Sequence, residues 1–561
     1  MSMAAPSGEL LLAGLDDQQR IAATALLGPV CLLAGAGTGK TRAITHRIAY
    51  GVATGVYPPA RVLALTFTSR AAGELRGRLA SLGTPGVSTR TFHAAALSQL
   101  NFFWPQVIGG TMPRLVEGKA RLIAQAAEAL RVKLDTATLR DVAAEIEWRK
   151  TALLSIEQWT QAKRPTPPAL TSERMVALQQ GYERLKDERR QLDFEDVLLA
   201  AAGMLEAEPR VADQVREQYR FFVVDEYQDV SPLQHHLLRL WLGPRTDICV
   251  VGDVSQTIYS FAGASPDFLL GFEREHPGSV VVRLEQNYRS TRSIVTAANR
   301  LMQGHPGALS LRAVDENPAP IPKMVAHESD GSEARSVANQ IAAQIDAGAA
   351  PESIAVLFRI GAQSQVIETA LGDAGVPFRV RGALRFFDQR EVKEALMLLR
   401  GASITTAEEP LFKTVSDVLR SIGWSQDPPD VRGAVRDRWE ALDVLMRLAE
   451  SSTAGTTLKQ FVAEMLDRQS AQQEPTMPAV TLSTLHSAKG LEWDSVYIIG
   501  LVEGLIPITY AKDAAALDEE RRLLYVGMTR ARRTLALSWA LSPQAGRAAA
   551  RIPSRFIADL R

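Results

Sequence analysis

The stretch Val30-Cys31-Leu32-Leu33-Ala34-Gly35-Ala36-Gly37-Thr38-Gly39-Lys40-Thr41 constrains this chain more than any other. An apolar run that suits a buried strand meets a glycine-rich turn, and residues 41–50 then have helical composition. Strand, glycine loop and helix together set backbone N–H groups around an anion, with the positive end of a helix aimed at it. In that arrangement Lys40 reaches the β- and γ-phosphates of a nucleotide as a point charge, and the Thr41 hydroxyl ligates Mg²⁺. Ala34 stands where the strict pattern has glycine. The competing reading is a glycine-rich turn without phosphate chemistry; Gly-Lys-Thr directly after an apolar run favours the phosphate.

With 561 residues the chain exceeds a single hydrophobic core, and about three to four domains are expected. Apolar residues at 46% and charged residues at 22% describe an ordinary globular protein. No uninterrupted apolar run approaches transmembrane length. Residues 1–15 lack a basic start followed by a sustained apolar core, so no signal peptide and a cytoplasmic location are expected. The 63 basic and 63 acidic residues cancel, so any DNA contact must come from a local groove, not a global positive field. Cys31 and Cys249 each sit in an apolar, strand-like run. Two buried thiols cannot make a four-ligand zinc or iron–sulfur site. His235-His236 reads as a helix surface.

Two further strands are punctuated by acids. Phe221-Phe222-Val223-Val224 ends in Asp225-Glu226, and Ile248-Cys249-Val250-Val251-Gly252 ends in Asp253. Such strands, alternating with helices, indicate a parallel α/β sheet with its site at the carboxyl ends. A second α/β set is expected from 280–284, with strands near 354–358, 480–483, 496–499 and 535–539. Two mostly helical stretches interrupt the sets. One is broken at Arg164-Pro165-Thr166-Pro167-Pro168; the other is punctuated at Asp427-Pro428-Pro429-Asp430 and Glu474-Pro475. The expected division is a first core over 1–97 and 193–278 with a helical insertion over 98–192. A second core follows over 279–400 and 479–561, with a short insertion over 401–478.

Nucleotide hydrolysis needs one carboxylate in the magnesium shell and another that takes a proton from the attacking water. Asp225 fits the first role and Glu226 the second. With these residues in place the chain resembles, from Leu15 to Arg532, the superfamily I DNA helicases of the UvrD/PcrA/Rep type. Gln19 matches the glutamine that reads adenine in that family. Thr66-Phe67-Thr68-Ser69-Arg70-Ala71-Ala72 and Thr91-Phe92-His93-Ala94 resemble motifs that contact single-stranded DNA, which implicates Phe67, Thr91 and His93. Gly252-Asp253-Val254-Ser255-Gln256-Thr257-Ile258-Tyr259-Ser260-Phe261-Ala262-Gly263-Ala264 is similar to the motif joining the γ-phosphate, through Gln256, to DNA-stacking aromatics, here Tyr259 and Phe261. Leu284-Glu285-Gln286-Asn287-Tyr288-Arg289-Ser290 resembles the motif whose tyrosine stacks on adenine and whose arginine reaches the γ-phosphate. In Thr484-Leu485-His486-Ser487-Ala488-Lys489-Gly490-Leu491-Glu492-Trp493, His486 corresponds to a DNA contact and Glu492 to a nucleotide contact. In Tyr525-Val526-Gly527-Met528-Thr529-Arg530-Ala531-Arg532, Arg530 corresponds to a second arginine finger.

The resemblance implies an α/β fold of two RecA-like parallel-sheet motor cores of the P-loop NTPase class, each with a mostly helical insertion. It implies ATP and Mg²⁺ as cofactors. Ala34, Gly35, Ala36, Gly37, Thr38, Gly39, Lys40, Thr41 and Arg42 would surround the phosphates, and Thr41 and Asp225 would hold the metal. Lys40, Glu226, Gln256, Arg289 and Arg530 are the implied catalytic set, with Arg289 and Arg530 arriving from the second set of strands. The implied partners are single-stranded DNA and junctions with a 3′ tail, along which the motor moves 3′→5′ in repair or replication-associated processing. Rival readings are a translocase that displaces proteins with little unwinding, and an ATP-gated DNA-binding scaffold. Intact Lys40, Glu226, Arg289 and Arg530 argue against the scaffold.

Bland roles stand beside these. Phe67 closes a buried strand and would serve as core alone, Phe261 has less packing reason in its glycine-containing loop, and His486 would serve as a satisfied core histidine. The usual fate of an arginine is a surface salt bridge. Three departures from the family pattern stand out: Ala262 in place of arginine, Val254-Ser255 in place of an acidic pair, and a shorter second insertion.

Overall fold

The computed structural model describes residues 8–560 except 135, 163, 165, 167–169, 316–319, 382–386, 388–389, 406–409, 428–433, 451, 454, 471–477, 510 and 544–550. Pro165, Pro167, Pro168, Pro428, Pro429, Asp430, Glu474 and Pro475, read above as punctuation, lie outside the described residues. The chain forms two compact units. The first runs to Ile321 and recovers Pro507–Arg533 and the piece from Arg555; the second holds Pro322–Ile506 and Thr534–Ser554.

The first unit is built on β1 (Val30–Ala34), β2 (Val62–Thr66), β3 (Ser88–Thr91), β4 (Phe221–Val224), β5 (Ile248–Gly252) and β6 (Val280–Leu284), paired in parallel in the order β3-β2-β4-β5-β1-β6. Alternate residues leave on opposite faces. Val30, Leu32 and Ala34 pack with Ile44, Ile48, Val62 and Ala64, whereas Cys31 packs with Leu63, Leu65, Phe222 and Val224. Both faces are covered, which is why these strands are apolar throughout and not alternating. The helices used below are α1 (Asp17–Thr24), α2 (Lys40–Ala53), α3 (Phe92–Val107), α4 (Thr136–Thr151), α5 (Phe194–Ala207), α6 (Arg292–Met302) and α7 (Ala514–Met528).

β6 corrects the expected boundary. Read as the opening of the second set, it is the edge strand of the first, in register with β1 from Val30↔Val280 to Ala34↔Leu284. An apolar parallel strand reads alike in either sheet, and only its partner decides where it belongs.

The first insertion has its own core around Ile123, Val142, Ile146, Met175, Leu178 and Tyr182. A buried ionic knot pins it to the start of α5: Lys150 Nζ lies 2.6 Å from Asp193 and 2.7 Å from Asp196, Lys186 pairs with both carboxylates, and the Tyr182 hydroxyl donates to Asp193 at 2.9 Å. Burial works against the Asp193 charge, but the two ammonium groups outweigh it and hold that carboxyl well below its ordinary range.

The second unit carries β7 (Lys323–Ser329), β8 (Ile354–Phe358), β9 (Phe378–Arg381), β10 (Val480–Thr484), β11 (Trp493–Ile498) and β12 (Ala531–Ser542), in the order β7-β12-β11-β8-β10-β9. Its core gathers Val337, Ile341, Val356, Leu371, Leu482 and Tyr497. The helical body of this unit begins before residue 401. Helix Arg390–Thr405 already buries Val392, Leu396 and Leu399 against Val415, Leu419, Leu445 and Phe461. No helix among the described residues is long and apolar enough to cross a membrane.

Candidate functional site

Strands β4, β5 and β1 are neighbours, so their carboxyl ends bring Asp225-Glu226, Asp253–Gln256 and the phosphate loop to one edge of the sheet. Ala34 is the last residue of β1, fully buried and paired with Leu284. A strand position with ordinary φ has no need of glycine, which accounts for the departure there. The demand falls on Gly37 and Gly39, at φ 71° and 79°. A Cβ on Gly37 would stand 2.7 Å from Asn287 Nδ2, and one on Gly39 would stand 2.7 Å from Gln19 Nε2.

The loop is braced from several sides. The Thr38 hydroxyl donates to Gly35 O at 2.8 Å, Asn287 Nδ2 to Ala36 O at 2.7 Å, and Tyr288 N–H to Gly37 O at 2.9 Å. Gln19, buried on α1, donates from Nε2 to Thr38 O at 3.0 Å, so in this structure its carboxamide braces the loop. Arg42 is committed to Gly14 O at 2.6 Å. The Tyr288 ring is half exposed, with its hydroxyl donating to Asp16 at 2.5 Å; burial first, then Asp16, pushes that phenol up to about 12.

Gly39 caps α2, so Lys40 and Thr41 open the helix. Lys40 Nζ is buried, makes no hydrogen bond among the described residues, and faces Glu226 Oε1 at 3.7 Å. Glu226 holds a left-handed backbone at φ 53°, ψ 41°. A non-glycine residue keeps such a conformation only where its surroundings enforce it, and these positions cluster at functional sites. Its Oε2 accepts from Gln228 Nε2 at 2.5 Å, and Gln228 Oε1 in turn accepts from Asp253 N–H at 3.1 Å. Asp253 Oδ2 accepts from Gln256 Nε2 at 2.7 Å. Burial pushes the Asp253 carboxyl above the ordinary range while Lys40 opposes it. Gln228 and Asp253 therefore wire Glu226 to Gln256. Both lay inside motifs legible in the sequence, but nothing in the spacing marks them as connectors.

The fit of a divalent ion follows from the donors present. No group of three or more His, Cys, Asp and Glu gathers among the described residues. An ion at Thr41 and Asp225 would therefore complete its shell with phosphate oxygens and water, which is the habit of Mg²⁺. The buried Lys40 ammonium, which no hydrogen bond occupies among the described residues, fits the phosphate of the same complex.

Arg289 and Arg530, expected from the second set of strands, pack in the first unit with the phosphate loop. The reason is that β6 delivers Arg289 and that α7, late in the chain, packs on α6. Arg530 is 2% exposed, with Nε donating to Val526 O at 2.9 Å; a surface salt bridge is excluded. Arg289 donates to Thr529 O at 3.4 Å. The Tyr525 hydroxyl lies against the Ala36 N–H with Asp253, Arg530 and Arg289 as its charged neighbours, and burial pushes it far above the usual phenol range.

The aromatics stand at the next strand ends. Phe67, just beyond β2, is 43% exposed and stacks on Tyr259 with ring centroids 5.8 Å apart and 9° between planes. Phe261 is 62% exposed and meets Tyr259 edge-on at 6.0 Å. Neither Phe67 nor Phe261 is core. Thr91 caps α3 by accepting Ala94 N–H, which leaves its hydroxyl proton free to donate. His93 stacks on Phe194 at 3.8 Å; burial, with Lys119 adding, pushes its imidazole down to about 4. Phe194, 55% exposed at the start of α5, is an aromatic platform that no sequence motif singled out. His486 and Glu492 belong to the second unit. Burial, then Arg359, pushes His486 down to about 4, and Glu492 is exposed.

Comparison with known proteins agrees with this geometry. Residues 15–277 match the UvrD/REP helicase N-terminal domain, and 282–427 with 429–542 match the UvrD-like helicase C-terminal domain. ATP-dependent DNA helicase UvrD2 of Mycobacterium tuberculosis is 46% identical, aligned over 98% of this chain and 81% of that protein. DNA helicase II of Escherichia coli is 31% identical over 98% of this chain and 88% of its own length. ATP-dependent DNA helicase PcrA of Bacillus subtilis is 28% identical over 98% and 86%. Phosphate loop, strand-end acids, buried arginines and exposed aromatics thus occur in a chain matched almost throughout by these domains and relatives: it belongs to the UvrD/PcrA/Rep-type superfamily I DNA helicases.

Proposed function

We propose that this chain hydrolyses ATP to move 3′→5′ along single-stranded DNA, as a helicase or translocase of DNA repair or replication-associated processing in the cytoplasm. The observation that carries the reading is the convergence, in one unit, of Lys40, the strained Glu226, the Gln228–Asp253–Gln256 relay and two packed arginines on the phosphate loop, beside the exposed Phe67–Tyr259–Phe261 cluster. By the family resemblance Gln19 and Tyr288 recognise the adenine, and Glu492 corresponds to a nucleotide contact. Lys40 and the loop N–H groups hold the phosphates, with Thr41 and Asp225 holding the metal. A bound Mg²⁺ would neutralise charge on the phosphate oxygens. Glu226, oriented by Gln228, takes the proton of the attacking water. Gln256 senses the γ-phosphate, while Arg289 and Arg530 hold its charge. When that charge leaves, the change at Arg530 is carried along the chain, which enters the second unit directly after Arg533.

Phe67, Tyr259, Phe261 and His93, with Thr91 and His486, are the proposed single-strand contacts. Stacking is sequence-tolerant and contributes about 1–3 kcal/mol per base, so Phe261→Ala should weaken oligonucleotide binding roughly 5- to 150-fold. The slope of affinity against salt should hardly change, because no phosphate contact is lost. Fluorescence anisotropy over a salt series reads both. An unaltered affinity would remove Phe261 from the interface.

Duplex opening needs a surface that engages the duplex ahead, and the second insertion is short. ATPase should therefore rise strongly on adding single-stranded DNA, and a protein block should be displaced in the 3′→5′ direction. Unwinding should be confined to short duplexes with a 3′ single-stranded tail. Strand displacement on tailed duplexes of increasing length, run beside a translocation assay, tests this. Processive unwinding of long duplexes would overturn the limit, and unwinding only from 5′ tails would overturn the polarity.

A further inference from the structure

One face of α7 touches both the nucleotide machinery and the stacking loop. Near its end, Tyr525 lies against the Ala36 N–H of the phosphate loop, and Arg530 follows. Three residues before Tyr525, Arg522 Nε donates to Thr257 O at 2.8 Å. Three earlier still, Glu519 Oε1 accepts the Ser260 N–H at 3.0 Å while its other oxygen accepts the Ser260 hydroxyl. Spacing by three places these side chains on one side of the helix. From Glu519 to Met528, the last residue of the helix, the rod is about 14 Å long, at 1.5 Å per residue. Thr257 and Ser260 bracket Tyr259, and Ile258 between them is fully buried. The loop is thus gripped at both sides of its stacking ring. Ala262, the position where the family pattern has a guanidinium, offers only a methyl group, and its carbonyl takes a 3.4 Å bond from the Thr151 hydroxyl of α4.

We propose that Glu519, assisted by Arg522, is the positioning residue that couples the nucleotide site to the DNA-stacking loop, with α7 as the rigid connection. A displacement of α7 at the phosphate loop reaches Ser260 through the two carboxylate bonds, and so moves Tyr259 and Phe261. This rests on the reading of Tyr259 and Phe261 as DNA contacts.

The test uses the full chain and measures affinity for a labelled single-stranded oligonucleotide with and without a saturating non-hydrolysable ATP analogue. The ratio of the two affinities is the coupling, and linkage makes it independent of kinetic effects. In the unaltered chain the ratio should differ from one. In Glu519→Ala it should collapse toward one by on the order of fivefold or more, while affinity without nucleotide and basal ATPase stay within about twofold. Ser260→Ala, which loses only the hydroxyl bond, should fall between. Glu519→Gln keeps an oxygen for the Ser260 N–H and should retain most of the ratio, which distinguishes lost coupling from a damaged fold. A wild-type ratio in Glu519→Ala, or a ratio of one in the unaltered chain, overturns the proposal. Phe261→Ala in the same assay keeps the two readings apart, since unchanged affinity there overturns the stacking assignment instead.

Discussion

Replacing Arg530 by alanine should lower DNA-stimulated ATP turnover by about 10³-fold or more, the low end for arginine fingers. ATP affinity should change far less. The residue is 2% exposed, and its Nε is anchored on Val526 O in the last turn of α7. Its neighbour Tyr525 rests on the Ala36 N–H, so the end of α7 is registered against the phosphate loop. A charge held in place before reaction needs no reorganisation as charge builds on the transferring phosphoryl group, so its loss should appear in turnover far more than in binding. Arg289→Ala should behave alike, since its guanidinium reaches Thr529 O in the same turn. Steady-state ATPase with saturating single-stranded DNA, with nucleotide binding measured separately, checks the split. Near-normal stimulated turnover in Arg530→Ala would assign that arginine to packing alone.

Glu226→Gln should retain ATP binding and lose on the order of 10²–10⁴ in turnover, the range for a lost general base. The substitution is clean here for two reasons. Glutamine keeps an oxygen for the Gln228 carboxamide that now sits 2.5 Å from Glu226 Oε2, and it tolerates φ 53° no worse than glutamate. Lys40→Ala, by contrast, should weaken binding and hydrolysis together. It removes the buried ammonium and leaves Glu226 without the positive charge at 3.7 Å. Single-turnover hydrolysis with bound nucleotide quantified beforehand separates the two variants. Wild-type hydrolysis by Glu226→Gln would show that another group takes the proton.

What could be read before folding was local. Gly-Lys-Thr after Val30–Leu33, and Asp-Glu after Phe221–Val224, mark a glycine loop that opens a helix and a strand that ends in acids, because each pattern lies within a dozen neighbouring residues. Strand identity was legible for the same reason, since an unbroken apolar run needs both faces covered wherever it ends up. Sheet membership was not legible: β6 looks like any buried parallel strand, and its pairing with β1 exists only in three dimensions. Exposure at strand ends was equally hidden. Phe67 follows five buried residues yet stands 43% exposed beside Tyr259, because the side-chain environment changes within one residue of a sheet edge. The long-range braces were hidden too. Gln228 on Asp253, Tyr525 against Ala36 and Glu519 on Ser260 join residues 25, 489 and 259 positions apart. Sequence sets which groups can donate, accept or carry charge; only packing decides which of them meet, because closing such long loops is favoured by the buried core as a whole and not by the residues at the contact.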